Sequence, residues 1–325
     1  FFLEQKTAYG RGLDLVGSEV CIRDRARKKA PRLATGAQCS APYECGFLAH
    51  CQSAEPQAEH HVRWLPRRSQ ALKAHIEEHG ISELRDVPDD LLNPTQQRVK
   101  AATLSGQAFF DQPATAQALA AHKLPGYFID FETIQFGVPL WKGTRPYQQL
   151  PFQFSVHRLG RTGRATHQAF LDLSGGNPSL AFAQSLVAAC GERGPVFVYN
   201  AAFETTRIRE LAERHPRLAI ALRAINDRVV DLLPIARQHY YHPSQQGSWS
   251  IKAVLPALCP ELHYDALDGV QDGGAAQQAY LEAITPATSA PRKAELERQL
   301  LAYCSLDTWA MVRLWSAFTG QPVRD

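Results

Sequence analysis

Two acidic residues sit inside a run that otherwise reads as buried strand: YFIDFETI, residues 127–134. The run is aromatic and β-branched and follows the Leu124-Pro125-Gly126 breaker, which favours a strand. Side chains alternate across a strand, so Asp130 and Glu132 share one face and Phe131 points to the other. Two ionised carboxylates in an apolar setting repel each other and resist desolvation unless a cation or hydrogen bonds compensate. A metal ion is the partner this spacing asks for; a hydrogen-bonded polar pair at a strand end is the plainer alternative.

Two further segments carry acids. VFVYNAAFETTRI, residues 196–208, reads as a strand ending at Asn200 and then a helix with Glu204 in its first turn. Asn200 would cap that helix and Glu204 would face the positive end of its dipole, which accounts for both residues without chemistry. LLAYCSLDTWAMVRLW, residues 300–315, reads as an apolar helix. Tyr303 and Asp307, four apart, lie one above the other on it, as a phenol and carboxylate presented together or as an ordinary amphipathic face.

The elements that must position these groups follow from pattern. From residue 127 onward the order is strands at 127–132, 151–158 and 165–171, a helix at 178–190, a strand at 195–199, then mostly helix. A meander followed by alternating α and β predicts an α/β fold with a mixed sheet flanked by helices. Upstream, residues 64–124 read as a small helical connector. Its helices include RRSQALKAHIEEHG, closed by Gly80, and NPTQQRVKAATLSG, where Asn93 caps and Pro94 takes the first position.

The chain has 325 residues, 45% of them hydrophobic and 21% charged, with a formal charge of +3. That is the composition of a globular protein, and the charge permits a nucleic-acid partner without arguing for one. No apolar stretch is long enough for a membrane span and the start lacks a signal-peptide layout, so a cytoplasmic location is the expectation. The first residue is not Met and Met311 is the single Met, so the chain reads as a piece with its upstream part missing.

The three motifs together resemble those of the DEDD (DnaQ-like) 3′→5′ exonucleases on a ribonuclease H-like fold. Tyr-x-x-x-Asp places the resemblance in the tyrosine subclass. Six blocks in order, GTRPYQQLPFQFSVH, VYNAAFETTRI, VDLLPIARQHYYHP, GSWSIKAVLPAL, QDGGAAQQAY and YCSLDTWAMV, are similar to the bacterial family of domain of unknown function 2779, across roughly 125–316. The resemblance implies that Asp130, Glu132, Glu204 and Asp307 converge on two Mg²⁺ or Mn²⁺ ions. Asp130 would bridge them, Glu132 and Asp307 would complete the set, Glu204 would bind through the outer shell, and Tyr303 would orient or deprotonate the attacking water. Glu204 departs from the Asp usual at that position, lengthening the reach by a methylene. Two such ions, roughly 3.5–4 Å apart, stabilise the attacking and leaving oxygens of an in-line phosphodiester displacement.

The implied activity is 3′→5′ exonucleolytic hydrolysis of single-stranded DNA or RNA. The alternatives are a nucleic-acid-binding or scaffold module with a degenerate site, or endonuclease action on the same metals. The pathway stays open between DNA repair, defence and RNA turnover. Substrate contacts are assigned to Thr133, Tyr147, Gln148, Asn200 and Lys252. Arg145, Tyr147 and Gln148 would contact a phosphate or stack a base, or simply shape their loop; Lys252 would meet a phosphate or be an ordinary surface Lys. Gly273-Gly274, ahead of a helix, reads as an anion cradle or a flexible turn. Asp231 and His242 have no derivable role.

Six of the seven cysteines fall into two groups. Cys190, Cys259 and Cys304 are scattered and read as small core residues. Cys39, Cys45 and Cys51, with five residues between each pair, form a ligand-like set. They resemble the C-terminal cysteine group of RecB-like nucleases, including CRISPR-associated ones, implying a [4Fe-4S] cluster or Zn²⁺ in the full-length protein. Residues 1–63 then read as the remnant of an upstream nuclease module, with Cys21, His50, His60 or His61 as improvised fourth ligands and Glu4-Gln5-Lys6 in that nuclease's Glu-x-Lys form. By the same resemblance, residues 125–325 would form the exonuclease domain.

Overall fold

The computed structural model describes residues 35, 36, 39, 45–53 and 58–324. Two compact units divide the chain, Phe1–His61 and Val62–Asp325. In the first, helix α1 (Leu48–Ser53) carries Cys51, and the Cys45 amide donates to the Cys39 carbonyl at 2.8 Å. Cys21 and the Glu4–Lys6 triplet lie outside the described residues.

The second unit opens with helices. Ser69 Oγ accepts from Leu72 N at 3.1 Å and caps α2 (Gln70–Glu78); its apolar stripe, Leu72 and Ile76, closes a small core with Val62, Leu65, Leu84, Val87 and Leu92. Helix α3 (Pro94–Ser105) begins with a reciprocal Asn93–Gln96 capping box and Pro94 in its first turn. A two-residue strand β1 (Phe109–Phe110) and α4 (Gln112–Leu119) follow. Val99, Ala102 and Leu119 join the core built around Phe128, Phe197 and Trp315, so these helices and the sheet share apolar contacts.

Strands β2 (Gly126–Ile134), β3 (Leu150–Leu159) and β4 (Ala165–Leu171) form an antiparallel meander. Helix α5 (Ser179–Cys190) crosses over to β5 (Val196–Val198), α6 (Ala202–Arg214) and α7 (Ala219–Asn226) lead to β6 (Val229–Asp231), and both short strands run parallel to β2. The sheet order is β4-β3-β2-β5-β6, the mixed sheet the pattern predicts. Gly194, in a left-handed conformation, brings the start of β5 against the Pro125 backbone, where any side chain would collide. After β6 come α8 (Leu232–His239), β7 (Tyr240–Tyr241, pairing with β1), α9 (Ile251–Leu258), α10 (Gly273–Ile284) and the 30-residue α11 (Ala290–Thr319).

Strand β2 is central and buried along its length except at Asp130. Its odd positions, Tyr127, Ile129 and Phe131, pack with Phe182 and Leu186 of α5 and Ile208 and Leu211 of α6. Its even positions face α11: Phe128 packs on Trp315, and the Cys304 thiol lies 3.7 Å from Asp130 Oδ2. Apolar packing on both sides of the sheet, with fully buried Phe128, Phe152 and Phe197 each worth roughly 1.5–3 kcal/mol, fixes the face on which the two acids project. Among the described residues, no helix is long and apolar enough to cross a membrane.

Candidate metal centre

Strand β2 supplies Asp130 and Glu132, opposite Ser155 and Gln153 of β3, and a bulge follows between Glu132 and Thr133. Helix α11 supplies Tyr303 and Asp307, 5% and 6% exposed, one turn apart over that strand. A carboxylate oxygen from each of Asp130, Glu132 and Asp307 lies within 4.8 Å of the others. Residues 177 positions apart in sequence thus present three hard oxygen donors to one point, the donor type that Mg²⁺ and Mn²⁺ prefer. Glu204, 3% exposed in the first turn of α6, stands outside that group, and its Oε2 has no hydrogen-bond partner. A buried carboxylate oxygen without a partner is costly, and a cation or its bound water would satisfy it.

Burial pushes the Asp130 carboxyl well above the usual range, and the charges of Asp307, Glu132 and Glu204 push it further. Burial, then Asp307, lifts Glu132 to about 8, against the pull of the Lys252 ammonium. Burial also lifts Glu204 to about 8. Asp307 rises less, to about 6, because burial is opposed by hydrogen bonds from Tyr264 and Tyr303 and by Lys252. A set of acids that cannot all ionise beside one another is poised for divalent cations, which would reverse each of these shifts.

Tyr264, in a short turn between α9 and α10, is absent from the sequence reading yet donates its hydroxyl to Asp307 Oδ1 at 2.6 Å. The rings of Tyr264 and Tyr303 meet edge to face at 6.4 Å, and Lys252 Nζ lies 5.1 Å and 5.0 Å from their centroids. Burial and the Asp307 charge raise both phenols, which stay protonated. Cys304, read from sequence as a small core residue, is fully buried, and it lies against Asp130, its Sγ 3.6 Å from the backbone oxygen. Next to Asp307, Thr308 Oγ1 meets Ser155 Oγ at 2.6 Å and His157 Nδ1 at 2.7 Å, tying α11 to β3 directly behind the acids.

The family model described as Domain of unknown function (DUF2779) matches residues 127–250. The match spans 124 of the 325 residues and supports a DUF2779 assignment for that segment. Neither the curated proteins nor the solved structures gave a match. The DUF2779 segment holds Asp130, Glu132 and Glu204, while Tyr264, Tyr303 and Asp307 lie downstream of it.

Within the DUF2779 segment the capping expectation for Asn200 is corrected. Asn200 is left-handed, with φ of 75°, and α6 starts after Ala201 with no side-chain cap of its own. Asp231 does the capping from β6: its two oxygens accept from Asn200 N at 2.9 Å and Ala201 N at 3.0 Å, and Oδ1 also accepts from Leu233 N at 2.9 Å. A carboxylate accepts these amides better than a neutral amide oxygen does, and it fixes the turn that carries Glu204. His242, the other residue without a derived role, caps a short turn through Ser244 N at 3.1 Å.

Of the other residues assigned to substrate, Thr133 is 4% exposed beside Glu132, and Lys252 donates to the Gln271 carbonyl at 2.6 Å at the edge of the acidic group. Tyr147 and Gln148 line an open cleft with Arg145 and Arg207. Gly273 and Gly274 do not precede a helix; they are the first turn of α10, whose N-terminus is taken by Asp272 Oδ1, bonded to Ala275 N at 2.8 Å. A resident carboxylate occupies the place of an anion. Cys39, Cys45 and Cys51 are free and partly exposed, and among the described residues the ligand atoms that gather are those of the three acids.

Proposed function

We propose that this chain is a divalent-metal-dependent 3′→5′ exonuclease of the DEDD type on a ribonuclease H-like sheet, acting on single-stranded nucleic acid. The observation that carries the reading is the convergence of Asp130, Glu132 and Asp307 to within 4.8 Å, with Tyr303 one helical turn from Asp307. Supporting it are the mixed sheet order and the unpartnered Glu204 oxygen.

Asp130, Glu132 and Asp307 would hold two Mg²⁺ or Mn²⁺ ions, with Glu204 reached through water. Bound there, the ions would stabilise charge on the attacking and leaving oxygens of a phosphodiester displacement. Tyr303, one helical turn from Asp307, would orient or deprotonate the attacking water. Tyr264, donating to Oδ1 of Asp307, would hold that carboxylate in place beside an ion. Lys252 offsets part of the negative charge when the acids are ionised and would sit near an incoming phosphate.

Oligonucleotides labelled at the 3′ or the 5′ end, incubated with Mn²⁺, test the reading. Stepwise loss from the 3′ end, abolished in Asp130→Asn and Asp307→Asn, is expected; no degradation, or equal degradation by these variants, would defeat it. The second reading, a binding module without turnover, draws on Glu204 standing outside the tight group of acids. Binding undiminished by chelator and unaccompanied by cleavage would favour it, and cutting of a circular substrate would indicate endonuclease action instead.

A further inference from the structure

The loop between β2 and β3 carries an aromatic side chain in an unusual setting. Tyr147 is 72% exposed and its backbone is left-handed, with φ of 57°. Bulky residues rarely adopt that conformation, and it persists only where surrounding contacts over-determine it. Here they do: Tyr147 N donates to Phe136 O at 2.8 Å, and a tight turn closes through Gln148 N to Arg145 O at 3.1 Å. The Gln148 side chain then accepts from Arg145 N at 3.0 Å. The backbone beneath an exposed ring is therefore fixed, an arrangement that a folding core does not require.

The ring borders a cleft of about 270 Å³ formed with Arg145, Gln148, Gln149, Arg207 and Glu210. Arg207, 8% exposed, is held by Glu210 at 3.0 Å and donates to Gln149 Oε1. Two guanidiniums against one carboxylate leave the cleft cationic. Its position is set by the metal centre: Arg207 lies three residues beyond Glu204 on α6, and Gln149 precedes Leu150, which pairs with Ile134, two residues past Glu132. Residues three apart on a helix share a face, so the cleft and the acids occupy neighbouring ground at one end of β2.

We propose that this cleft binds an unpaired nucleotide of a single-stranded polynucleotide next to the acids, stacking its base on Tyr147 and holding its phosphate with Arg145. The assignment rests on the exonuclease reading for the kind of substrate, but its own evidence is the platform and the charge. Stacking is open to any base, because every base has a π-face, and it is closed to a base inside a duplex, where neighbouring pairs cover both faces. The cleft thereby selects single strands without selecting sequence.

The test is fluorescence anisotropy with the whole chain in Ca²⁺, using a labelled oligothymidine and an abasic chain of equal length and charge, with intactness of both checked by gel. Wild type is expected to prefer the base-bearing chain by roughly 5- to 150-fold, the range that stacking a single base provides. Tyr147→Ala should remove that preference and leave abasic affinity unchanged, Tyr147→Phe should keep it, and Arg145→Ala should weaken both chains alike and shrink the salt dependence. An absent preference in wild type, or one that survives Tyr147→Ala, would overturn the proposal. Matched RNA chains separate the two sugars. Base-dependent binding with no Mn²⁺-driven cleavage would sink the exonuclease reading and leave the cleft standing, whereas cleavage with unchanged base preference in Tyr147→Ala would do the reverse.

Discussion

Tyr264 Oη donates to Oδ1 of Asp307 at 2.6 Å, from a turn 43 residues upstream. That bond holds the Asp307 carboxylate where one of its oxygens lies within 4.8 Å of Asp130 and Glu132. A hydrogen bond of this kind orients a ligand and fixes which of its atoms meets the ion.

Tyr264→Phe should therefore weaken Mn²⁺ binding by roughly 10- to 100-fold while the fold is retained. Calorimetric titration, with circular dichroism as the control, reads this. Unchanged Mn²⁺ affinity in the variant would show that Asp307 is positioned by α11 alone.

Stability without metal should fall as pH rises. Glu132 and Glu204 are shifted from 4.5 to about 8, so between those values the native state holds protons that the unfolded chain has released. Each such proton makes stability decline by up to roughly 1.4 kcal/mol per pH unit through that window. Mn²⁺ needs the ionised acids, so the thermal midpoint gained on adding it should grow toward the alkaline end. Thermal unfolding from about pH 5 to about pH 8, with and without Mn²⁺, checks both trends. A flat metal-free profile would contradict the assignment of these shifts.

Asp231 caps two chain segments at once. Asp231→Ala should cost about 2 kcal/mol, with Asp231→Asn recovering part of it because an amide oxygen still accepts. Urea unfolding reads the loss; a change below about 0.5 kcal/mol would mean that the turn before α6 holds itself.

Thr308→Val tests the strut behind the acids. Ser155 keeps His167 at 2.8 Å, but His157 Nδ1 loses its partner at 2.7 Å, a loss of about 1–3 kcal/mol. Burial and His167 lower His157 to about 3, so the ring is neutral and the loss should be the same at about pH 5 and about pH 8. A loss that varied strongly between these conditions would show a charged ring.

Much of this was legible in the sequence wherever local pattern decides. The β2 and β3 strands, the helix at 179–190 and the Asn93 cap with Pro94 after it follow from alternation, breakers and capping chemistry, each confined to a few neighbouring residues. Asp130, Glu132 and the Tyr303–Asp307 pair stood out because acids are costly in apolar runs. Tyr264, Cys304 and the capping by Asp231 were hidden because each acts on a partner far away in sequence, and no periodicity marks such a contact. The expectation for Asn200 failed for the same reason: a carboxylate from another strand took the amides that a local cap would have used.

The central claim is that the three gathered acids hold divalent cations, and crystals soaked in Mn²⁺ and examined by anomalous diffraction test it most directly. Two peaks within coordination distance of Asp130, Glu132 and Asp307, lost in Asp130→Asn, are the predicted result. An empty acidic cluster, with Lys252 swung in to neutralise Glu132 and Asp307, would contradict it.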